Sequence, residues 1–435
     1  PLKPGETPLK VAPNLEQTAF DYYYRGEYDD WWNQECCNQE PYFDNHADVP
    51  MTIACGFYDN FVGASVNYYM AMKERNKSPV RLILGAWCHG GMRATGSAHG
   101  DVDTGQESVW GNEIYNPERL AFFDHHLKGM PAPANDSPIR LYVMGTGDGN
   151  KTEQGNLNHG GYWRNESEWP VARSQFQTLY MHDDGSLNSF ASSDDYSRLT
   201  FTFDPDNPVP TIGGQLVGMF EIIPPEEGGP ERDDVPRYLD QWTQARNNLR
   251  EVISAGGFHQ KETPQCIGVK EPYQLLKDRD DVLTFETDPL KVDTEISGEV
   301  VVKLWVSSTG IDTDFTVKLV DVYPENSDYP EGYHLNLVDT IQRMRYRNSW
   351  IRPEMMKPNE PCEITITLWP NSNVFKKGHR VRFDISSSNF PRFDVNPNTG
   401  EPVGRHTHSV KSDNTIHTSA ELASRVILPI IPPVQ

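Results

Sequence analysis

The chain has 435 residues, 37% of them hydrophobic and 11% aromatic, a composition that supports packed cores and excludes a disordered chain. At about 150 residues per domain this length implies two or three units. Acidic residues outnumber basic ones 62 to 39, a net charge of −23. That balance is the reverse of a nucleic-acid binder's, and no apolar run is long enough for a membrane span.

Residues 1–45 are rich in aromatics and acids, among them Tyr22, Tyr23, Tyr24, Trp31 and Trp32. Helix over Leu15 to Trp32 is compatible with the composition, but the periodicity is irregular. The stretch reads as a partly helical segment packed on another unit. Next comes an α/β pattern. Met51 to Gly56 is an apolar run bounded by Pro50 and a glycine, as expected of a buried strand. Residues 62–76 suit a helix, and Arg81 to Trp87 a second buried strand. A fourth element, helical, is predicted from Asn116 or Pro117 to Lys128 and ends at Gly129. Strand, helix, strand, helix implies a parallel sheet with crossovers.

From about Ser137 the texture changes. Short strand-like runs recur between Pro-, Gly-, Asn- and Asp-rich turns: Ile139–Met144, Gln177–Met181, Leu199–Phe203, Val282–Glu286, Gly298–Ser307, Asp314–Val322, Cys362–Leu368 and His379–Ile385. That pattern predicts an antiparallel β-sandwich or jelly roll. The expected division is 1–45, 46–134 and 135–435.

Two residues have the placement that chemistry requires. Asp59 follows the first buried strand and His89 the second, and functional groups of parallel sheets gather beyond the strands' carboxyl ends. Their order in the chain is that of the acid and base of a Ser–Asp–His triad. In such a triad the imidazole takes the serine proton, and the carboxylate fixes its tautomer and steadies the imidazolium. Spacing alone leaves a helix cap and a loop histidine as plain alternatives.

The segments around these residues extend the argument. Gly56-Phe-Tyr-Asp59-Asn-Phe61 resembles the Gly-Trp-Tyr-Asp segment of the cocaine-esterase and X-Pro dipeptidyl-peptidase family, and Leu84-Gly-Ala-Trp-Cys-His89 resembles its Gly-Pro-Trp-x-His segment. Phe57 and Ala86 replace the usual Trp and Pro. Further stretches resemble the family across most of the chain: Phe122 to Gly129, Trp163 to Pro170, Asp204 to Gly214, Asp312 to Tyr323 and Ser386 to Gly400. The resemblance implies the end of a helical cap over 1–45, the C-terminal part of an α/β-hydrolase domain over 46–134 and a jelly-roll β-sandwich over 135–435. It implies hydrolysis of a small ester or amide, or of a short peptide, through an acyl-enzyme and without a cofactor. Asp59 is then the triad acid, His89 the base, and Phe61 a lining residue of the acyl pocket. It also implies that the sandwich supports a homo-oligomer.

The family's nucleophile sits in a Gly-x-Ser-x-x-Gly elbow upstream of the acid. The nearest candidates here, Ser65 and Ser97, lie after the Asp and after the His, and neither follows a buried strand. The serine is therefore expected from upstream sequence or a separate chain. The rival reading is a non-catalytic protein whose sandwich binds carbohydrate or protein. Cys88 beside His89 is expected to be a buried structural thiol, as is Cys55, because neighbours on a strand point apart. His99, Asp101 and Asp103 have metal-compatible residue types in what reads as a surface loop. His125 and His126 suit the C-terminal end of a helix dipole. A secreted or periplasmic setting is expected ahead of a cytoplasmic one, although the start at Pro1 and the six cysteines do not decide it.

Overall fold

The computed structural model describes residues 3–91, 96–133, 136–217, 219–222, 249–402 and 404–432. The boundary expected at 134/135 falls on residues outside these. Helix α1 spans Pro13–Tyr24, shorter than the sequence pattern allowed. Beyond it the chain bends at Glu27. Asp29 Oδ1 then accepts from the backbone N–H groups of Trp31 and Trp32, a local alternative to continuing the helix. This segment is tied down from two sides: Tyr346 Oη donates to Gly26 O at 2.7 Å, and Arg75 Nε donates to Asp44 Oδ1 at 2.6 Å.

Strand β1 (Met51–Tyr58), helix α2 (Val62–Arg75) and strand β2 (Val80–Cys88) form the expected crossover unit. On α2, Val62, Val66, Tyr69 and Met72 are all buried; spacings of four, three and three residues put them on one helix face. That face packs on the sheet with Phe57, Leu82 and Leu84. β1 and β2 are parallel and in register from Met51↔Val80 to Gly56↔Gly85. The register then shifts, so that Tyr58 faces Cys88.

Helix α3 spans Gly111–Lys128, starting five or six residues before the predicted position, with Pro117 inside it. A proline's missing N–H is harmless in the first turn of a helix; Pro117 removes a bond from the second turn instead. The predicted stop holds. Gly129 adopts φ 67°, and its region accepts the helix end through Gly129 N–H to His125 O.

β3 (Ile139–Met144) forms as the strand pattern predicts, but not as the first strand of the antiparallel unit. It pairs parallel with β2, Leu82↔Ile139 to Leu84↔Leu141, and so extends the first sheet. β4 (Gly161–Glu166) pairs antiparallel with it. The sheet continues without a break into the β-rich remainder: β5 (Gln175–Met181), β6 (Arg198–Phe203), β7 (Leu283–Glu286), β8 (Thr294–Gly298), β9 (Val301–Ser308), β10 (Asp314–Tyr323), β11 (Tyr333–Arg343), β12 (Cys362–Thr367), β13 (Asn371–Phe375), β14 (Arg380–Ser386), β15 (Ser412–His417) and β16 (Arg425–Ile431). The large mixed sheet runs β1-β2-β3-β13-β8-β16-β9-β15-β6, and a four-stranded antiparallel sheet runs β7-β14-β10-β11. One apolar core joins the two sheets, with Val302, Leu304 and Val306 against Val317, Leu319, Phe383 and Ile385. A second core lies around β1, β2, β3 and α2. The architecture is a mixed, β-rich fold with few helices. Among the described residues no helix is long and apolar enough to cross a membrane.

Candidate active site

β1 and β2 are parallel neighbours, so their carboxyl ends emerge side by side. Asp59 and His89 occupy those ends. Asp59 closes a turn whose backbone N–H donates to Gly56 O at 3.0 Å, while Val62 N–H donates to Asp59 O at 3.2 Å as α2 begins. Asp59 Oδ1 accepts from Phe61 N–H at 2.9 Å. The carboxylate is 4% exposed and its rotamer is set by the turn. His89 Nδ1 lies 3.1 Å from Asp59 Oδ2 and 3.4 Å from Oδ1. An ionised carboxylate only accepts, so a neutral imidazole held in this contact would carry its proton on Nδ1 and its lone pair on Nε2. The His89 side chain is 49% exposed, and among the described residues no group hydrogen-bonds Nε2. The ring of Phe61, 50% exposed, lies 5.4 Å from the imidazole centroid. The three residues singled out from sequence are thus brought together on one open rim.

Layers beneath hold this rim in place. Gly56 and Gly85 sit where the chains converge. A Cβ on Gly56 would lie 1.9 Å from Trp87 O, and one on Gly85 2.5 Å from the Trp87 ring. Trp87 stacks on Trp110 at 5.1 Å and 4°, and its Nε1 donates to Ser108 O at 2.8 Å. From the β-rich part, the fully buried Gln215 donates through Nε2 to Phe57 O at 2.7 Å, two residues before Asp59. Trp369 packs against the first turn of α2 at Gly63, and Arg392 lies 5.3 Å over the Trp369 ring. Sequence reading missed Gln215, Trp110 and Trp369. Gln215 follows the Gly213-Gly214 pair, which was the one available hint.

The remaining candidates fall elsewhere. Ser65 lies within α2, its N–H donating to Phe61 O as part of the helix. Ser97 lies in the turn closed by Thr104 N–H and Oγ1 on its carbonyl. Neither stands on a strand-to-helix elbow. Cys55 is buried, and burial pushes its thiol up to about 12. Cys88, expected to be buried, is half-buried because it sits at the open end of β2. His99 is buried, not in a surface loop, and burial holds its imidazole down at about 4. Among the described residues no three His, Cys, Asp or Glu side chains are grouped to hold a metal ion. His125 Nδ1 contacts Met130 O at 2.6 Å, beyond the end of α3.

Residues 132–427 match the family described as the X-Pro dipeptidyl-peptidase C-terminal non-catalytic domain. The chain belongs to the cocaine-esterase and X-Pro dipeptidyl-peptidase family. Within that family it is 32% identical over 394 residues to the cocaine esterase of Rhodococcus sp. (strain MB1 Bresler), an alignment covering 88% of this chain and 56% of the esterase. An α-amino acid ester hydrolase structure superposes with a TM-score of 0.71 at 26% identity, covering 97% of this chain and 62% of that one. An aminopeptidase from a marine-sediment Thaumarchaeota archaeon shares the fold, with a TM-score of 0.72 at 24% identity over 98% of this chain and 62% of the other. The chain thus spans about half to three-fifths of these relatives. Asp59 and His89 lie ahead of the segment matched as non-catalytic.

Proposed function

We propose that this chain is the C-terminal portion of a serine hydrolase acting on a small ester or amide, or on a short peptide. In this reading Asp59 orients His89, and His89 takes the serine proton and later returns it to the leaving group. The serine, with its oxyanion hole, comes from an upstream segment or a separate chain. Phe61 lines the acyl pocket, and the β-rich unit, of jelly-roll type, closes the site from below. The observation that carries the reading is the 3.1 Å contact between a buried carboxylate and a half-exposed imidazole. The names of the relatives, an esterase and an ester hydrolase, support ester chemistry.

Two features support a partner segment at this site. Among the described residues β1 is the terminal strand of its sheet, with one hydrogen-bonded neighbour. Next to it, α3 exposes Ile114, Leu120, Phe123 and Leu127. An unpaired edge beside an apolar face is a surface that folded proteins cover.

The test is intact-mass spectrometry of the purified native protein after treatment with a fluorophosphonate probe. A probe adduct on a second polypeptide, or on a longer chain containing this one, is the expected result. A mass of the 435-residue chain alone, without adduct, refutes the proposal and leaves a binding role. A panel of p-nitrophenyl esters and Xaa-Pro anilides then separates esterase from dipeptidase activity.

A further inference from the structure

Cys36 and Cys37 are sequence neighbours, both exposed, with their sulfurs 3.8 Å apart. The other four cysteines are buried or half-buried. The pair lies on a turn knit by backbone bonds, with Cys37 N–H and Asn38 N–H both donating to Gln34 O at 2.8 Å. Side chains hold the turn from either end: Asn38 Nδ2 donates to Tyr28 Oη at 2.8 Å, and Tyr28 Oη donates to Asn33 Oδ1 at 2.9 Å. Both thiols therefore face solvent from a braced turn, in contact with one another.

We propose that Cys36 and Cys37 form a vicinal dithiol site that small disulfides oxidise reversibly to a ring spanning one peptide bond. This proposal does not depend on the hydrolase reading. One protein thiol loses its proton, and its thiolate attacks a sulfur of glutathione disulfide. A mixed disulfide forms and one glutathione thiolate leaves. The second thiol loses its proton, and its sulfur attacks the protein sulfur of the mixed disulfide, releasing the second glutathione thiolate. The protein has lost two electrons and two protons, and the two electrons reside on glutathione. Contact between the sulfurs makes the second step intramolecular, and an exposed thiol next to a resolving thiol is the usual form of a redox-responsive pair. The ring is also readily reopened. Adjacent Cα atoms are about 3.8 Å apart, below the ordinary Cα separation of a disulfide, and strained, exposed disulfides are the easily reduced ones. Desolvation, and then the shared contact with Cys36, raise the Cys37 pKa, as expected of two thiols that compete to ionise.

The experiment treats the purified native protein, whatever further segment accompanies this chain, with excess glutathione disulfide and reads intact mass, free thiols and a peptide map. The wild-type chain is expected to lose the mass of two hydrogen atoms and two free thiols, both mapping to Cys36 and Cys37, and to recover both with dithiothreitol. Cys37→Ser is expected to stop at one glutathione adduct on Cys36, and Cys36→Ser at one on Cys37. Both are exposed, near-isosteric changes, and circular dichroism confirms their folding. A stable glutathione adduct on the wild-type pair, an unchanged mass in all three proteins, or a loss of hydrogens mapped to other cysteines overturns the proposal.

Discussion

Asp59 and His89 are 30 residues apart in sequence, and each owes its position to the strand before it. Because the contact pairs a carboxylate with an imidazole nitrogen, charge and geometry are separable by mutation. Under the proposed serine-hydrolase reading, Asp59→Asn is expected to lower kcat by about 10⁴, and His89→Ala by several orders of magnitude, with smaller changes in KM. Steady-state kinetics on both variants check this, and near-normal turnover in either refutes the assignment. Gln215 tests the layer beneath. Gln215→Ala leaves Phe57 O buried without its donor, and the expected cost is about 1–3 kcal/mol, read as a lower urea midpoint. At this scale the positions of Asp59, His89 and Phe61 were legible, because each stands next to a readable strand end. Gln215 was not, because its partner is a backbone carbonyl 158 residues away and its sequence carries no period.

Among the elements, β1, α2 and β2 were legible nearly to the residue, since burial on both sheet faces writes a continuous apolar run and a one-faced helix writes a 3.6-residue period. α3 was mis-started, because its exposed apolar residues blur that period and Pro117 imitates a helix start. What the strand pattern did not reveal is the register shift after Gly56. The shift exists because the β1 and β2 backbones approach so closely that Gly56 has no room for a Cβ against Trp87 O. Gly56→Ala is accordingly expected to cost about 3 kcal/mol, at or above the upper part of the overpacking range, and to lower the melting temperature. An unchanged melting temperature would show that the strands separate at no cost.

For the molecule as a whole, stability is tied to pH by buried and half-buried imidazoles in different regions. Burial holds His99, His159 and His259 at about 4, against an ordinary value of 6.5. The unfolded chain therefore binds protons that the folded one refuses between pH 6.5 and 4. The favourable contribution is complete above pH 6.5 and is lost as pH falls towards 4, at most about 3 kcal/mol for each imidazole. Urea midpoints are expected to fall steeply over that window. His159→Gln should flatten the slope, although it also removes the contact of His159 Nδ1 with Tyr323 Oη at 2.5 Å. A stability that does not change between pH 6.5 and 4 counts against these buried, neutral states.

The sequence by itself determined the family, the parallel strands that present Asp59 and His89, and a β-rich second half, because burial periodicity and turn residues are local properties. Only the tertiary structure decided that Ile139–Met144 joins the first sheet parallel to β2, that a single Asn373↔Met144 pairing carries that sheet on into the β-rich unit, and that Gln215 braces the strand before Asp59. Those outcomes depend on which apolar faces meet and which backbone groups are left to pair, and such choices are made between segments far apart in the chain.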